Sequence, residues 1–283
     1  MAEPADRSSA MTALSSLSPA AHALVGRVID AAKEEPRIVG LSLGGSAVVG
    51  GTDQFSDLDF VVVCQPEDQA SLMSDAPRFA ARVGHLLASF TGEHVGEPRL
   101  MICLYGPPLQ HVDLKVVSIS DLRLRVEDAI VIWERESGTL VKAMEETSAI
   151  WPQPDLQWIE ERFWVWVHYA AGRLGRGELF ECLDALAYFR SAIFGPLLAV
   201  QRGARPQGVR RLEQYAGDAL QELEDTVGDH TSEGCLRALR ASIGLYRRLR
   251  DAMDDDTLVH RSEAEGASVA YLDQIAAATF GQR

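Results

Sequence analysis

Lysine is nearly absent from this chain of 283 residues. Only Lys33, Lys115 and Lys142 occur, beside 24 arginines, and the 27 basic residues fall short of 41 acidic ones, for a formal net charge of -14. Proteins that hold a nucleic-acid backbone draw most of their affinity from a basic face. Nucleic acid is therefore excluded as a partner, and small cations are what such a field favours. Cysteine is also sparse: Cys64, Cys103, Cys182 and Cys235 stand 39, 79 and 53 residues apart with no C-x-x-C pair. That spacing supports neither a disulfide framework nor a thiolate zinc site, so the four are read as reduced thiols of a cytoplasmic protein. The seven histidines show no H-x-x-x-H or H-E-x-x-H spacing, which removes the common zinc motifs.

Long apolar runs are missing too. A bilayer span takes about 20 residues, whereas the stretch from Ser191 to Val200 is half that and holds Gly195-Pro196. The opening Met1-Ala2-Glu3-Pro4-Ala5-Asp6 lacks the basic start and apolar run of an export signal. No membrane partner is expected. What is present is the composition of an ordinary globular protein, 47% hydrophobic and 24% charged, without internal repeats.

The order of elements divides the chain. Residues 1–18 are small and polar and read as a loose arm, and Ser18-Pro19 then caps a helix to Lys33 on which Ala23, Leu24, Val28 and Ile29 recur at helical spacing. After Pro36 a short strand, residues 38–43, runs into Gly44-Gly45-Ser46; a helical turn at 47–50 and a loop at 51–56 lead to a second strand, 57–64. A helix is expected from Asp75 with Phe79, Ala80, Val83, Leu86, Leu87 and Phe90 on one face. Two strands, 100–105 and 111–117, meet at Gly106-Pro107-Pro108 as antiparallel neighbours, before a short helix at 121–128 and a strand at 129–133. Trp151-Pro152-Gln153-Pro154 reads as a linker, beyond which only helical periods remain: 159–174, 179–197, 212–227, 235–253 and 269–280. The expected fold is α+β: a mixed sheet with helices over residues 19–150, then an α-helical bundle over 151–283.

One constellation carries chemistry. Gly44-Gly45-Ser46 is followed after ten residues by Asp57-Leu58-Asp59. Strand side chains alternate, so Asp57 and Asp59 share a face opposite Leu58 and Phe60. Neighbouring carboxylates repel, and a hard cation such as magnesium, which takes oxygen ligands and shares them with nucleotide phosphates, relieves that repulsion. Glycines where a strand meets a turn let phosphate approach backbone N–H groups. Asp113 and Lys115 share one face of a later strand: Asp113 is the third carboxylate, for metal or for proton transfer, and Lys115 is a candidate phosphate contact. A second acidic run, Asp254-Asp255-Asp256, lacks the flanking strand and the glycine turn and reads as a solvated loop. No G-K-[S/T] follows the glycines, so the turn is not a Walker loop.

This order of Gly-Ser, ten residues, Asp-x-Asp and a later third acid resembles the polymerase-beta-like nucleotidyltransferase superfamily, over about residues 36–120. Phe163-Trp164-Val165-Trp166 through Arg176-Gly177-Glu178-Leu179 is similar to the aminoglycoside adenylyltransferases of the streptomycin type, while Phe55 stands where the superfamily often has histidine. The resemblance implies magnesium-dependent transfer of AMP from ATP to a hydroxyl of a small cationic acceptor, with release of pyrophosphate. It places Gly45 and Ser46 at the nucleotide phosphates, Asp57 and Asp59 at the metal and Asp113 as the third carboxylate, and the residue reading adds Gly44 and Lys115 to the nucleotide set and Asp113 to the metal set. It makes residues 19–150 the nucleotidyltransferase domain and 151–283 the acceptor-binding domain, where Glu160, Glu161 and Glu178 are acceptor candidates and, with Glu181 and Asp184, candidate bases. A homodimer is compatible with it, since some relatives build the site across two subunits. A lincosamide or protein acceptor, and a non-catalytic nucleotide-binding module, are the alternatives.

Overall fold

The computed structural model describes residues 14–15, 17–48 and 52–281. The chain divides into two compact units, Met1–Trp151 and Pro152–Arg283, and its class is α+β. Residues 1–13 and 16 of the expected arm, and 49–51 of the turn and loop after Ser46, lie outside the described residues. At the end of the arm Leu17 is buried, with Leu14 packed beside it.

In the first unit, α1 (Pro19–Lys33) starts where the Ser18 hydroxyl accepts from the Ala21 N–H and Pro19 fixes the first turn. Its Leu24, Val25 and Val28 are buried. Six strands follow: β1 (Ile38–Leu43), β2 (Leu58–Cys64), β3 (Leu86–Gly92), β4 (Glu97–Tyr105), β5 (Gln110–Ser118) and β6 (Ile130–Glu134). They form one mixed sheet in the order β3-β4-β5-β2-β1-β6, in which β2 and β5 run parallel and every other pair is antiparallel. One sheet face, carrying Phe60, Val62, Val112 and Leu114, packs with α1 and with Phe79, Ala80 and Val83 of the helix Ala76–Val83 into the main core. The other face is covered at the carboxyl ends of β2 and β5, where Val63 and Val117 meet Leu122 and the helix α4 (Thr139–Glu145) through Leu140, Ala143 and Met144. The amino ends of β2 and β5 on that face carry the aspartates.

The structure departs from the sequence reading at one place above all. The helix expected from Asp75 to Phe90 is α3 (Ala76–Val83) alone, ending at Gly84, with a separate short helix α2 (Gln69–Ser74) before it, and Leu86, Leu87 and Phe90 belong to β3. Residues four apart share a face on a helix and on a strand alike, so Leu86 and Phe90 fit either period. The edge of β4 decides the matter: it pairs with β3 from Leu86 to Gly92, and the Gly106 N–H donates to the His85 carbonyl at 3.2 Å. Leu87 and Phe90 are exposed. The short helix expected at 121–128 is a 3-10 segment, Ile119–Leu124, where Ser118 and Asp121 form a reciprocal cap.

The second unit is helical throughout. Asp155 caps α5 (Leu156–Gly175) by accepting from the Trp158 N–H. An almost continuous helix follows, made of α6 (Leu179–Phe189), a π turn at Arg190–Phe194 and α7 (Gly195–Gln201). These 23 residues, Leu179–Gln201, are long and apolar enough to cross a membrane by length and composition. Their apolar stripe is nonetheless spent in the core: Leu186, Phe189, Ile193, Phe194 and Leu197 pack there with Phe163, Trp164 and Tyr246. The helix expected over 212–227 is two short ones, α8 (Leu212–Tyr215) and α9 (Leu220–Asp225), separated by Gly217 at φ +58°. Two long helices, α10 (Ser232–Met253) and α11 (Ser262–Phe280), complete the bundle.

Candidate active site

Alternation along two parallel strands assembles the acids. Leu58, Phe60, Val112 and Leu114 point into the core, which turns Asp59 and Asp113 to the other face, and Asp57 stands one residue before β2 with its charge felt at Asp113. In the β2–β5 ladder Asp59 lies directly opposite Asp113, on strands about 4.8 Å apart. Burial pushes the Asp113 carboxyl above its ordinary value; His111 opposes this, and the charge of Asp57 adds to it. The His111 ring Nε2 lies 2.9 Å from Asp113 Oδ1.

The glycine turn is built around Asp59. The Gly44 N–H donates to the Asp59 carbonyl at 2.9 Å, joining the end of β1 to β2. Gly45 has φ +58°, and a Cβ on it would overlap Asp59 Oδ2 and stand 2.9 Å from Asp59 Cγ. Glycine is thus required twice, for the left-handed backbone and for the space the carboxylate occupies. Gly45 opens a 3-10 turn, Gly45–Ala47, in which Ser46 is buried. Two residues that the sequence reading passed over belong here. His111 stands two positions before Asp113 and so shares its face, a signal available from strand parity. Glu127 brings Oε1 to 3.9 Å from the point where a Gly44 Cβ would stand, with Asp59 Cβ 3.8 Å from the same point. It comes from a segment with no strand around it, and no local pattern marked it.

Asp59 and Asp113 on one face and Asp57 beside them, with a glycine whose missing Cβ makes room for one of them, suit a hard divalent cation. As the side chains stand, no group of three His, Cys, Asp or Glu among the described residues closes into a metal cage. Lys115 is placed differently from the three acids. Its ammonium sits 2.8 Å from Glu97 Oε2, and Arg99 bonds the same carboxylate, which holds Glu97 at about 2, mainly through Arg99.

The acids expected at the acceptor separate into two kinds. Glu160 is fully buried: it accepts from Tyr246 Oη at 2.7 Å, Trp164 Nε1 at 3.1 Å and the Arg261 N–H at 2.8 Å, with Arg250 at 3.6 Å. Its lone pairs are taken by its own unit, and no acceptor reaches it; its expected place at the acceptor is corrected on that ground. Glu161 pairs with Arg261 at 3.0 Å, while Glu178 and Glu181 share Arg173 at 2.7 and 2.8 Å. These three are exposed or half-buried on the bundle surface. His168 stacks on Tyr271, and Arg190 donates to the Thr226 carbonyl at 2.8 Å, a tie within the bundle.

No family model matches the chain, and no curated protein matches it. Among solved structures, it is similar to an aminoglycoside 6-adenyltransferase from Bacillus subtilis, at 16% identity and a TM-score of 0.40, over 89% of this chain and 97% of that one. It is also similar to a nucleotidyltransferase-like protein from Exiguobacterium sibiricum 255-15, at 13% identity and a TM-score of 0.38, over 76% of this chain and 70% of that one.

Proposed function

We propose that the protein is a cytoplasmic adenylyltransferase, moving AMP from ATP to a hydroxyl of a small cationic acceptor of the aminoglycoside kind. The observation that carries this reading is the Asp59–Asp113 pair on one open sheet face, with Gly45 shaped around the Asp59 carboxylate. Asp57, Asp59 and Asp113 are the residues that would hold magnesium. When bound, the ion supplies neutralisation of the charge that develops as the α-phosphate is attacked. The backbone N–H groups of Gly45 and Ser46 and the Ser46 hydroxyl would orient the phosphates, the Gly44 N–H being held by the Asp59 carbonyl. The acceptor oxygen forms a bond to the α-phosphorus, the bond to the bridging α–β oxygen breaks, and pyrophosphate leaves. Asp113 either completes that metal set or, in its place, takes the acceptor's proton.

The test is pyrophosphate release with ATP and magnesium over a panel of aminoglycosides and lincosamides, with labelled ATP identifying the molecule modified. Turnover is expected on a cationic aminoglycoside. Asp57→Asn and Asp59→Asn should each lower it by at least about a hundredfold, the scale of lost transition-state electrostatics, with melting no lower than wild type. Wild-type turnover in either variant would overturn the assignment. Label on a lincosamide or a protein would move the acceptor class, and ATP binding without release would make the chain a nucleotide-binding module.

A further inference from the structure

The sheet has two edges, and they differ. No residue of β6 is exposed, and beyond it Glu134 accepts from the Leu140 N–H at 2.9 Å as the chain turns into α4. At the other edge β3 pairs with β4 alone among the described residues. Its sequence, Leu86-Leu87-Ala88-Ser89-Phe90-Thr91-Gly92, holds no charge and no proline, and Leu87, Ala88 and Phe90 are exposed. The shifts of register fall at its two ends, so residues 88–91 run regularly. Edge strands of natural proteins are normally blunted by charge, proline or a bulge. A regular edge without them offers its free N–H and C=O groups to another strand.

Apolar side chains stand at both ends of that edge. At one end, Leu87 and Leu109 lie 3.0 and 3.7 Å from the point where a Gly106 Cβ would stand. At the other, the Phe90 and His94 rings are 5.6 Å apart, with Val95 next in the chain. Leu87, Phe90, Val95 and Leu109 are each exposed over half their surface or more.

These features complement one another under a twofold rotation. Two copies of one strand, paired antiparallel, keep their sheet faces matched only when opposed residues are both odd or both even in number. With Ser89 opposite itself, Phe90 stands opposite Ala88, Leu87 falls by Thr91, and the Glu93 end of each strand meets the His85 end of the other. Large meets small, acid meets histidine, and the Leu87 and Leu109 patch of each copy meets the Phe90 and Val95 patch of the other. With Phe90 opposite itself, Glu93 would fall against Leu87 instead. The occupant that fits this edge is therefore a second copy. Chains of net charge -14 repel across most of their surfaces, and an uncharged edge is where they can meet.

We infer that β3 of one copy pairs antiparallel with β3 of a second, about an axis at Ser89, so that two sheets become one. Stable dimers bury roughly 800 Å² per partner. One edge strand with four large apolar side chains around it lies at the small end of that scale, so dissociation falls in the micromolar range. The pairing uses no residue of the aspartate site and does not rest on the function proposed above.

Sedimentation velocity of the full chain tests it. The mass should move from one copy toward two between about 1 and 100 µM, the span expected of a small interface. Phe90→Lys should raise the dissociation constant at least about tenfold. Melting curves check that this exposed position tolerates the change, and Ala88→Lys repeats the test at the opposed residue. Ser89→Cys reads the register. Opposed residues of an antiparallel pair have Cα atoms about 4.5–5.5 Å apart, within the span of a disulfide, and the four native cysteines are buried. Oxidised glutathione should therefore link two copies of Ser89→Cys and leave Thr91→Cys unlinked. A single copy at about 100 µM, growth beyond two copies, a dimer unmoved by both lysine variants, or linkage of Thr91→Cys in place of Ser89→Cys would overturn the inference. A dimer that obeys these rules in a chain that releases no pyrophosphate would retire the transfer reaction and keep the pairing.

Discussion

Asp113 in the sheet unit and Glu160 in the helical unit are both acids withdrawn from water, and their surroundings are opposite. Glu160 is met by a phenol, an indole, a backbone N–H and a guanidinium. Asp113 has the half-exposed His111 for a partner, lies opposite another carboxylate, and feels the charge of Asp57. A buried acid satisfied by its own fold is structural, because removing it strands its donors. An acid crowded with other acids destabilises the empty fold and is relieved by a proton or a cation, so it marks chemistry. The difference separates residues that composition alone would have pooled.

The comparison is broken most directly at Glu160. Glu160→Ala leaves the buried Tyr246 hydroxyl and Trp164 indole N–H without their acceptor, while Arg250 keeps Glu265 and Asp251; two stranded donors cost about 3 kcal/mol. Urea denaturation should show a lower midpoint with an unchanged slope. A stability equal to wild type would mean that Glu160 is not the keystone of its unit and would reopen its place at a ligand.

A smaller effect on stability, with a larger one on turnover, is expected at Gly45. A side chain at its positive φ costs roughly 1–2 kcal/mol, and the new methyl must also displace the Asp59 carboxylate. Gly45→Ala should therefore lower the melting temperature modestly while pyrophosphate release falls more than about tenfold. Gly44→Ala is the internal control, since the nearest atom to a Cβ there is 3.8 Å away. If the two alanines behave alike, Gly45 is not what positions Asp59.

Much of the sheet and its aspartates was legible because strand parity is a local signal: Leu58-Asp59-Phe60 and Val112-Asp113-Leu114 declare their faces without any tertiary knowledge. The Ile38–Leu43 strand and the Pro19–Lys33 helix were legible for similar reasons, since a cap, a proline and a period all agree. What was not legible depended on partners distant in sequence. Leu86 and Phe90 satisfy both periods, and only the free edge of β4 makes them a strand. Glu160 has the sequence of a solvated helix acid, and its burial needs Tyr246, 86 residues away, and the Arg261 N–H, 101 residues away. Lys115 shares a strand face with Asp113, but Glu97 across the neighbouring strand takes its charge.

The Glu97 group gives the mildest test of the contrast, because it is an acid of the sheet unit held by two bases of its own fold. Arg99 and then Lys115 hold its carboxyl at about 2, below an ordinary 4.5. A depressed folded-state value means that the stabilisation is fully present above pH 4.5 or so and is lost as pH falls through about 2. Glu97→Gln should thus be less stable than wild type at neutral pH, by no more than about 1 kcal/mol for a partly exposed cluster. The two melting curves should converge as the solution is acidified toward pH 2. A difference that persists undiminished at acid pH would show that Glu97 acts through packing and not through charge. Lys115 would then be held at its strand by something other than that carboxylate.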